Sequence, residues 1–270
     1  MKSTKSLAIL ILGSLLVAAC SNSGNKPNKN VASEIDEVSV SQIIEDFENI
    51  PTPTTVELMS MVNKLGVTYI FDVTNSLANQ ESYLSTKQKA LNMGVYAADL
   101  SYDVAYHKQA ETEEYLKCIL GMASDLNISI DVDGISEKFQ NNLNSIEGLT
   151  SVIKDMFNDS QYILNQTSQT ETALLFLVGS WVESAYICVS ASEFASNNME
   201  FLNVASNHFE YSATILKYLE TKKDDANFAD FYKQFSDMQK DVEAYKNDKN
   251  NLDKFEAVAS AVKEMRNSII

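Results

Sequence analysis

Four side chains in this sequence have the types and spacing to act together on a ligand. Asp99, Asp103 and His107 follow one another at intervals of four, so they fall along one edge of a predicted helix. Glu183 interrupts a second predicted helix that is otherwise apolar. If these two helices touch, the carboxylates and the imidazole form one acidic cluster, which suits a divalent cation or a cationic ligand.

A structural role for the same carboxylates is the stronger hypothesis. Several tyrosines lie near them in the predicted helices: Tyr69, Tyr96, Tyr102, Tyr106 and Tyr186. A buried carboxylate that accepts hydrogen bonds from tyrosine hydroxyls belongs to the core and is not a binding site. His107, near a predicted helix end, would interact with the helix dipole. Ligand binding ranks second and catalysis third.

Known enzyme signatures are missing from the sequence. It has neither His-Glu-x-x-His nor Glu-x-x-His, no glycine-rich phosphate loop, and no Gly-x-Ser-x-Gly motif around Ser180. The run from Asp131 to Gly134 hints at a calcium loop, but the register of the ligand positions fails, and Asp133–Ser136 is interpreted as a helix cap. We therefore expect a protein that is not an enzyme, with no cofactor and no metal.

The N-terminus carries the most specific motif. Lys2 and Lys5 precede an apolar stretch over residues 7–16, and the run Leu-Val-Ala-Ala-Cys ends at Cys20. This pattern resembles the lipobox of bacterial lipoprotein signal peptides. An ordinary cleaved signal peptide is the alternative, but it needs no cysteine at this position. An uncleaved membrane anchor is a further alternative, although the apolar stretch is short for one.

The lipobox resemblance implies an address for the protein. Residues 1–19 would be removed, Cys20 would be lipidated, and two or three acyl chains would make the attachment long-lived. Ser21 follows the cysteine where inner-membrane retention would need Asp, so the outer membrane is favoured. Residues 20–33 are polar and form a flexible tether, and residues 34–270 form the folded domain. The side of the membrane that the domain faces stays open.

The charge of the chain limits its partners. Its formal net charge is −16 at pH 7, and Arg266 is its only arginine. An acidic surface repels nucleic acid, so we expect no nucleic-acid partner. The expected partners are the membrane, through the lipid anchor, and a protein of the cell envelope.

The domain is predicted to be all-α, a multi-helix bundle of about eight to ten antiparallel helices. The chain has only 8 Gly and 3 Pro, and apolar residues recur at helical intervals. The capping boxes of Ser39 with Gln42 and of Thr54 with Glu57 each predict the start of a helix, separated by Pro51 and Pro53. The first helix after these prolines has apolar positions from Leu58 to Val73, and the further predicted helices are 82–107, 110–126, 135–146, 149–165, 169–196, 199–221, 227–246 and 249–267. Residues 127–133 alternate like a strand but lack a partner strand, so they predict an extended connection. A C-terminal helix pair is expected to close the bundle.

Two predicted helices are apolar on nearly every side, which indicates central positions. One covers about 91–107 and the other 172–194. Each carries a glycine followed by an aromatic residue and an acid, Gly94 in the first and Gly179 in the second. This pattern suggests a divergent three-helix duplication over 56–126 and 149–221. A transmembrane segment at 173–189 is the alternative for the second helix, although Glu183 interrupts it.

The remaining cysteines, Cys118 and Cys188, both lie in apolar helical surroundings. An exported protein can oxidise such a pair to a disulfide. The alternative is that each is a small buried apolar side chain.

The whole pattern resembles helical lipoproteins of Gram-negative bacteria. The leading hypothesis is a lipid-anchored envelope protein that binds a protein partner or a small ligand. The second is a sensor that binds a cation or an amine through Asp99, Asp103, His107 and Glu183. An enzyme ranks last.

Overall fold

A computed structural model describes residues 55–167, 169–195 and 199–270 of the chain. The predicted signal peptide, Cys20, the predicted tether and the helix predicted to begin at Ser39 lie outside these described residues. The described part contains ten α-helices and one 3₁₀ helix and no strand. Their bounds, in chain order, are α1 (Thr55–Lys64), the 3₁₀ helix (Leu77–Ser82), α2 (Thr86–Ala105), α3 (Gln109–Asp125), α4 (Val132–Asn142), α5 (Ile146–Gln166), α6 (Thr170–Ser192), α7 (Met199–Phe209), α8 (Ser212–Thr221), α9 (Ala229–Lys246) and α10 (Leu252–Asn267).

The prediction of an all-α bundle with two central helices is confirmed. Helices α2 and α6 pack on each other more extensively than any other pair in the described residues. The helices around them bury one face each, as their amphipathic sequences require. Helices α1 and α3 pack on α2, whereas α7, α8 and α10 pack on α6. The apolar surface of both central helices is thereby covered by protein.

The two central helices cross where each has a glycine. A Cβ added at Gly94 would lie 2.1 Å from the carbonyl oxygen of Phe176, and one added at Gly179 would lie 1.9 Å from that of Leu91. Each glycine therefore meets the backbone three residues before the other glycine, which makes the crossing locally symmetric. Only the absence of a side chain allows backbones to approach this closely.

The helices that flank the crossing in the two predicted repeats are less similar to each other than the two sides of the crossing are. The first helix of the earlier proposed repeat, α1, has 10 residues, whereas its counterpart α5 has 21. The symmetry of the described residues thus lies in the glycine crossing, and the three-helix duplication stays a prediction.

Several predicted helix bounds are wrong. The first helix ends at Lys64 and not near Val73, because Gly66 adopts a φ of +84° that no right-handed helix permits. The predicted helix over 199–221 is two helices, α7 and α8. Helix α4 begins at Val132, and its cap is Asp131, whose side chain accepts a hydrogen bond from the backbone N–H of Gly134 at 3.0 Å. The connection before it, predicted over 127–133, has no regular structure over residues 128–131, and residues 132–133 belong to the helix.

Residues 65–76, which we call the pinned loop, cross the surface of α2 with little regular structure. Their backbone groups are paired by side chains of the surrounding helices. Tyrosine hydroxyls donate to three of the loop's carbonyl oxygens and accept from one backbone N–H: Tyr106 to Val67 (2.8 Å), Tyr96 to Ser76 (3.0 Å), Tyr115 to Asn75 (2.8 Å), and Tyr102 from Ile70 (2.7 Å). These bonds replace the helical hydrogen bonds that the loop lacks.

The predicted C-terminal helix pair is present, and the two cysteines adopt the second of their two predicted states, that of buried apolar side chains. Helices α9 and α10 pack on each other, and α10 lies against α6. Cys118 and Cys188 are free, buried thiols, so the disulfide is not present. Burial raises the pKa of each thiol to about 12, which keeps both protonated and unreactive at neutral pH.

Among the described residues, α6 is long and apolar enough to cross a membrane by length and composition. In this structure 83% of its apolar window is buried inside the bundle. Its apolar surface is therefore explained by contacts with the neighbouring helices.

Replacing Gly179 by alanine tests the crossing. We expect Gly179→Ala to lower the free energy of unfolding by about 3 kcal/mol or more, because the new methyl group forces α2 and α6 apart. Urea denaturation measures the change. The matched control is Gly121→Ala, in the exposed face of α3, where a Cβ meets nothing closer than 3.8 Å. That variant should gain about 0.5–1 kcal/mol. Equal effects of the two changes would refute the close crossing.

Candidate functional site

Of the four predicted site residues, the structure brings two together in the centre of the bundle. Asp99 on α2 and Glu183 on α6 have no exposed surface. Their two helices meet at the glycine crossing, and the two carboxyl groups are close enough for the charge of Glu183 to raise the pKa of Asp99. A cation in solvent reaches this pair only if the surrounding helices separate.

Glu183 is held by a residue from the far end of the chain. Arg266 on α10 donates from Nε to one carboxylate oxygen of Glu183 at 2.7 Å and from Nη2 to the other at 2.9 Å. Nη2 also donates to the carbonyl oxygen of Val73 in the pinned loop at 3.2 Å. The guanidinium carbon lies 4.0 Å from the centre of the Tyr186 ring. One arginine thus joins α6, α10 and the loop.

Asp99 completes this buried network. Its Oδ2 accepts a hydrogen bond from the backbone N–H of Asn75 at 3.0 Å, and Oδ1 has no hydrogen-bond partner among the described residues. Burial, and next the charge of Glu183, raise the pKa of Asp99 well above its usual range. Burial also raises the pKa of Glu183, an effect that Arg266 opposes. These pKa directions favour a protonated Asp99 beside an ionised Glu183 that is paired with Arg266.

Asp103 faces a different neighbourhood, one turn further along α2. It is buried, and its Oδ1 accepts from the hydroxyl of Tyr69 at 3.0 Å. Its Oδ2 has no hydrogen-bond partner in the described residues. Burial raises the pKa of Asp103 to about 7, although the Tyr69 hydrogen bond lowers it. The sequence-based idea of a carboxylate held by a tyrosine hydroxyl thus describes Asp103 and not Asp99.

His107 does not join the other three. Helix α2 ends at Ala105, so His107 lies beyond the helix on whose edge the spacing placed it, and it is exposed. Its φ is +56°. Its backbone N–H donates to the backbone carbonyl oxygen of Val104, and the N–H of Lys108 donates to the backbone carbonyl oxygen of Asp103. This is a Schellman C-cap with histidine where glycine is usual.

The four positions therefore form no shared ligand shell. Within the ranges that the structure describes, no three His, Cys, Asp or Glu side chains are grouped so that they could hold a metal. The other histidine, His208, stacks on Trp181 with ring centres 5.8 Å apart, and burial lowers its pKa to about 4. It is a neutral side chain of the core.

Sequence reasoning missed Arg266 as the partner of Glu183. One signal was available, because Arg266 is the only arginine of the chain and a fully buried carboxylate needs a cation. The two residues are 83 positions apart in the chain, so no local pattern of the sequence indicates their pairing. The sequence also did not indicate that Asn92 links α2 to the C-terminus. Its side-chain amide donates to the carbonyl oxygens of Gln88 at 3.1 Å and of Ile269 at 3.1 Å.

Directly outside this network lies a surface cleft of about 380 Å³, which we call the aromatic cleft. Residues 70–73 of the pinned loop form one wall, and Tyr186, Phe194 and Lys263 belong to the rest. Phe71 is 74% exposed and Phe194 55% exposed. Val73 and Tyr186 contact Arg266 from the cleft side, so the buried ion pair supports both walls.

The comparisons with known proteins give no relative for this arrangement. No protein-family model, curated protein or solved structure matches the chain.

The assignment of charge in the network predicts unequal effects of two conservative changes. Glu183→Gln leaves the Arg266 charge buried without its partner and should lower the free energy of unfolding by about 3–5 kcal/mol. Asp99→Asn keeps an acceptor for the Asn75 N–H and replaces a neutral carboxyl by a neutral amide, so it should cost less than about 1 kcal/mol. Urea denaturation at pH 7 measures both. A loss with Asp99→Asn as large as that with Glu183→Gln would show that Asp99 is ionised.

The raised pKa of Asp103 predicts a pH dependence. Between its ordinary value of 3.8 and about 7, the folded domain holds a proton that the unfolded chain has released, so stability falls as pH rises through this window. Asp103→Asn stays neutral and removes the effect. The free energy of unfolding of this variant, relative to that of the wild type, should rise by on the order of 2–4 kcal/mol from pH 4 to pH 8. Asp155→Asn, at a half-exposed surface carboxylate, is the control and should show no such trend.

Proposed function

We propose that the chain is a lipid-anchored, non-catalytic binding protein of the bacterial cell envelope. Cys20 would carry the lipid, the polar residues 20–33 would form the tether, and the aromatic cleft would receive the ligand. The outer membrane is the favoured location, because Ser21 follows the cysteine.

The observation that carries the binding proposal is the pair of exposed phenylalanines at one cleft. Single apolar side chains on a surface are common, but Phe71 and Phe194 border the same concave surface. Ligand sites of proteins are concave and rich in aromatic side chains, with volumes from about 300 Å³ upwards. The cleft has a volume of about 380 Å³ and three aromatic side chains in its lining, Phe71, Tyr186 and Phe194.

The state of the buried carboxylates supports a role other than catalysis. Both oxygens of Glu183 accept hydrogen bonds from Arg266, and the Asp103 carboxylate accepts from Tyr69 without exposed surface. A general acid or base must reach its substrate within hydrogen-bonding distance. These groups instead connect helices, which is a structural use of charge.

Removing the lipid acceptor tests the anchor. Full-length Cys20→Ala expressed in a bacterium should leave the membrane fraction, since no thiol is available for the acyl chains. Fractionation followed by immunoblotting measures this. The control is Cys118→Ala, which changes a buried thiol and leaves the N-terminal motif intact. If Cys20→Ala sediments with membranes as the wild type does, the anchor is refuted.

A further inference from the structure

We infer that the aromatic cleft binds a small organic cation, a ligand that carries an alkylammonium group. This inference rests on the proposed binding function and adds the chemical class of the ligand. It also moves cation binding away from the buried carboxylates, which have no exposed surface, to the exposed rings above them.

The charge of the cleft favours a cation. Asp72 and Glu193 both line it, and Lys263 is the one basic residue among its lining residues in the described chain. Lys263 lies 3.7 Å from Glu193, with both side chains substantially exposed, so this pair is weak and a competing cation can replace it. Asp72 is exposed and makes no ion pair within the described residues. The charged residues that line the cleft, Asp72, Glu193 and Lys263, sum to one net negative charge, set in a protein of net charge −16.

The rings of this surface already bind cations of the same chain. The Lys108 ammonium group lies 4.3 Å from the centre of the Tyr69 ring and 5.4 Å from that of Phe71. Arg266 lies over Tyr186 from the buried side. Phe194 makes no ring or cation contact with any described residue. Its ring is thus the one that a ligand cation can use without competing with an internal partner.

The backbone holds the acidic group in place. Asp72 has a φ of +63°, a conformation that side-chain-bearing residues adopt rarely and that Asp and Asn tolerate best. Such conformations persist where the surrounding structure fixes them, and they concentrate at binding sites. Here the next residue, Val73, is fixed through the bond from Arg266 to its carbonyl oxygen. The buried ion pair thus fixes the backbone next to Asp72.

A matched pair of probes separates charge from shape. Choline and 3,3-dimethyl-1-butanol have nearly the same size, but only choline is charged. Isothermal titration of the full-length protein in maltoside micelles should give a millimolar dissociation constant for choline and binding at least about tenfold weaker for the alcohol. Equal binding of the two compounds would refute the ammonium class and leave the proposed binding function intact. If choline does not bind at concentrations up to 50 mM, about five times its expected dissociation constant, the ammonium class of ligand is likewise refuted.

Variants assign the binding to the cleft. Phe194→Leu keeps an apolar side chain but removes the π face, and Asp72→Asn keeps the backbone conformation but removes the charge. Each should weaken choline binding about fivefold and leave the weak binding of the alcohol unchanged. Tyr162→Leu, at an exposed aromatic residue outside the cleft, is the matched control and should have no effect. An equal loss in all three variants would refute the site.

A third probe distinguishes a free ligand from a lysine side chain of a partner protein. Nα-acetyl-lysine amide carries the same ammonium chemistry in the form that a protein presents it. We expect it to bind more weakly than choline, since the cleft volume of about 380 Å³ suits a compact ligand. Tighter binding of the lysine derivative would overturn the assignment to a small ligand and favour a protein partner.

Discussion

The ion pair between Glu183 and Arg266 is the interaction on which the rest of this structure depends. It is buried between α6 and α10, and it connects residues 83 positions apart in the chain. An isolated charge in such a place would cost several kcal/mol, so each partner requires the other. The arginine also bonds the Val73 carbonyl oxygen, which extends the same constraint to a loop with no regular structure of its own.

The glycine crossing makes this arrangement possible. Helices α2 and α6 approach closely at Gly94 and Gly179, and they carry Asp99 and Glu183 in the same buried region. Burial and the charge of Glu183 raise the pKa of Asp99, which favours its protonated form. Close packing of the backbones and the protonation of Asp99 are thus two consequences of one geometry.

The buried network and the surface cleft share two residues. The Tyr186 ring lies against the Arg266 guanidinium and lines the cleft, and the Val73 carbonyl oxygen accepts a hydrogen bond from Arg266 while Val73 also lines the cleft. The carboxylates that the sequence suggested as ligands therefore lie beneath the cleft and not in it.

The sequence by itself determined the helical class, the centrality of the two apolar helices and the burial of both internal cysteines. These features follow from the periodicity of apolar residues and from the scarcity of Gly and Pro, which are local properties of the chain. Tertiary structure alone decided which carboxylate is charged, because the pKa of Asp99 depends on a burial and a neighbour that no spacing reveals. It also decided the use of Arg266 and the formation of the aromatic cleft, since both join α6, α10 and the pinned loop. Contacts between residues so distant in sequence leave no periodic signal, which is the physical reason that the sequence did not predict them.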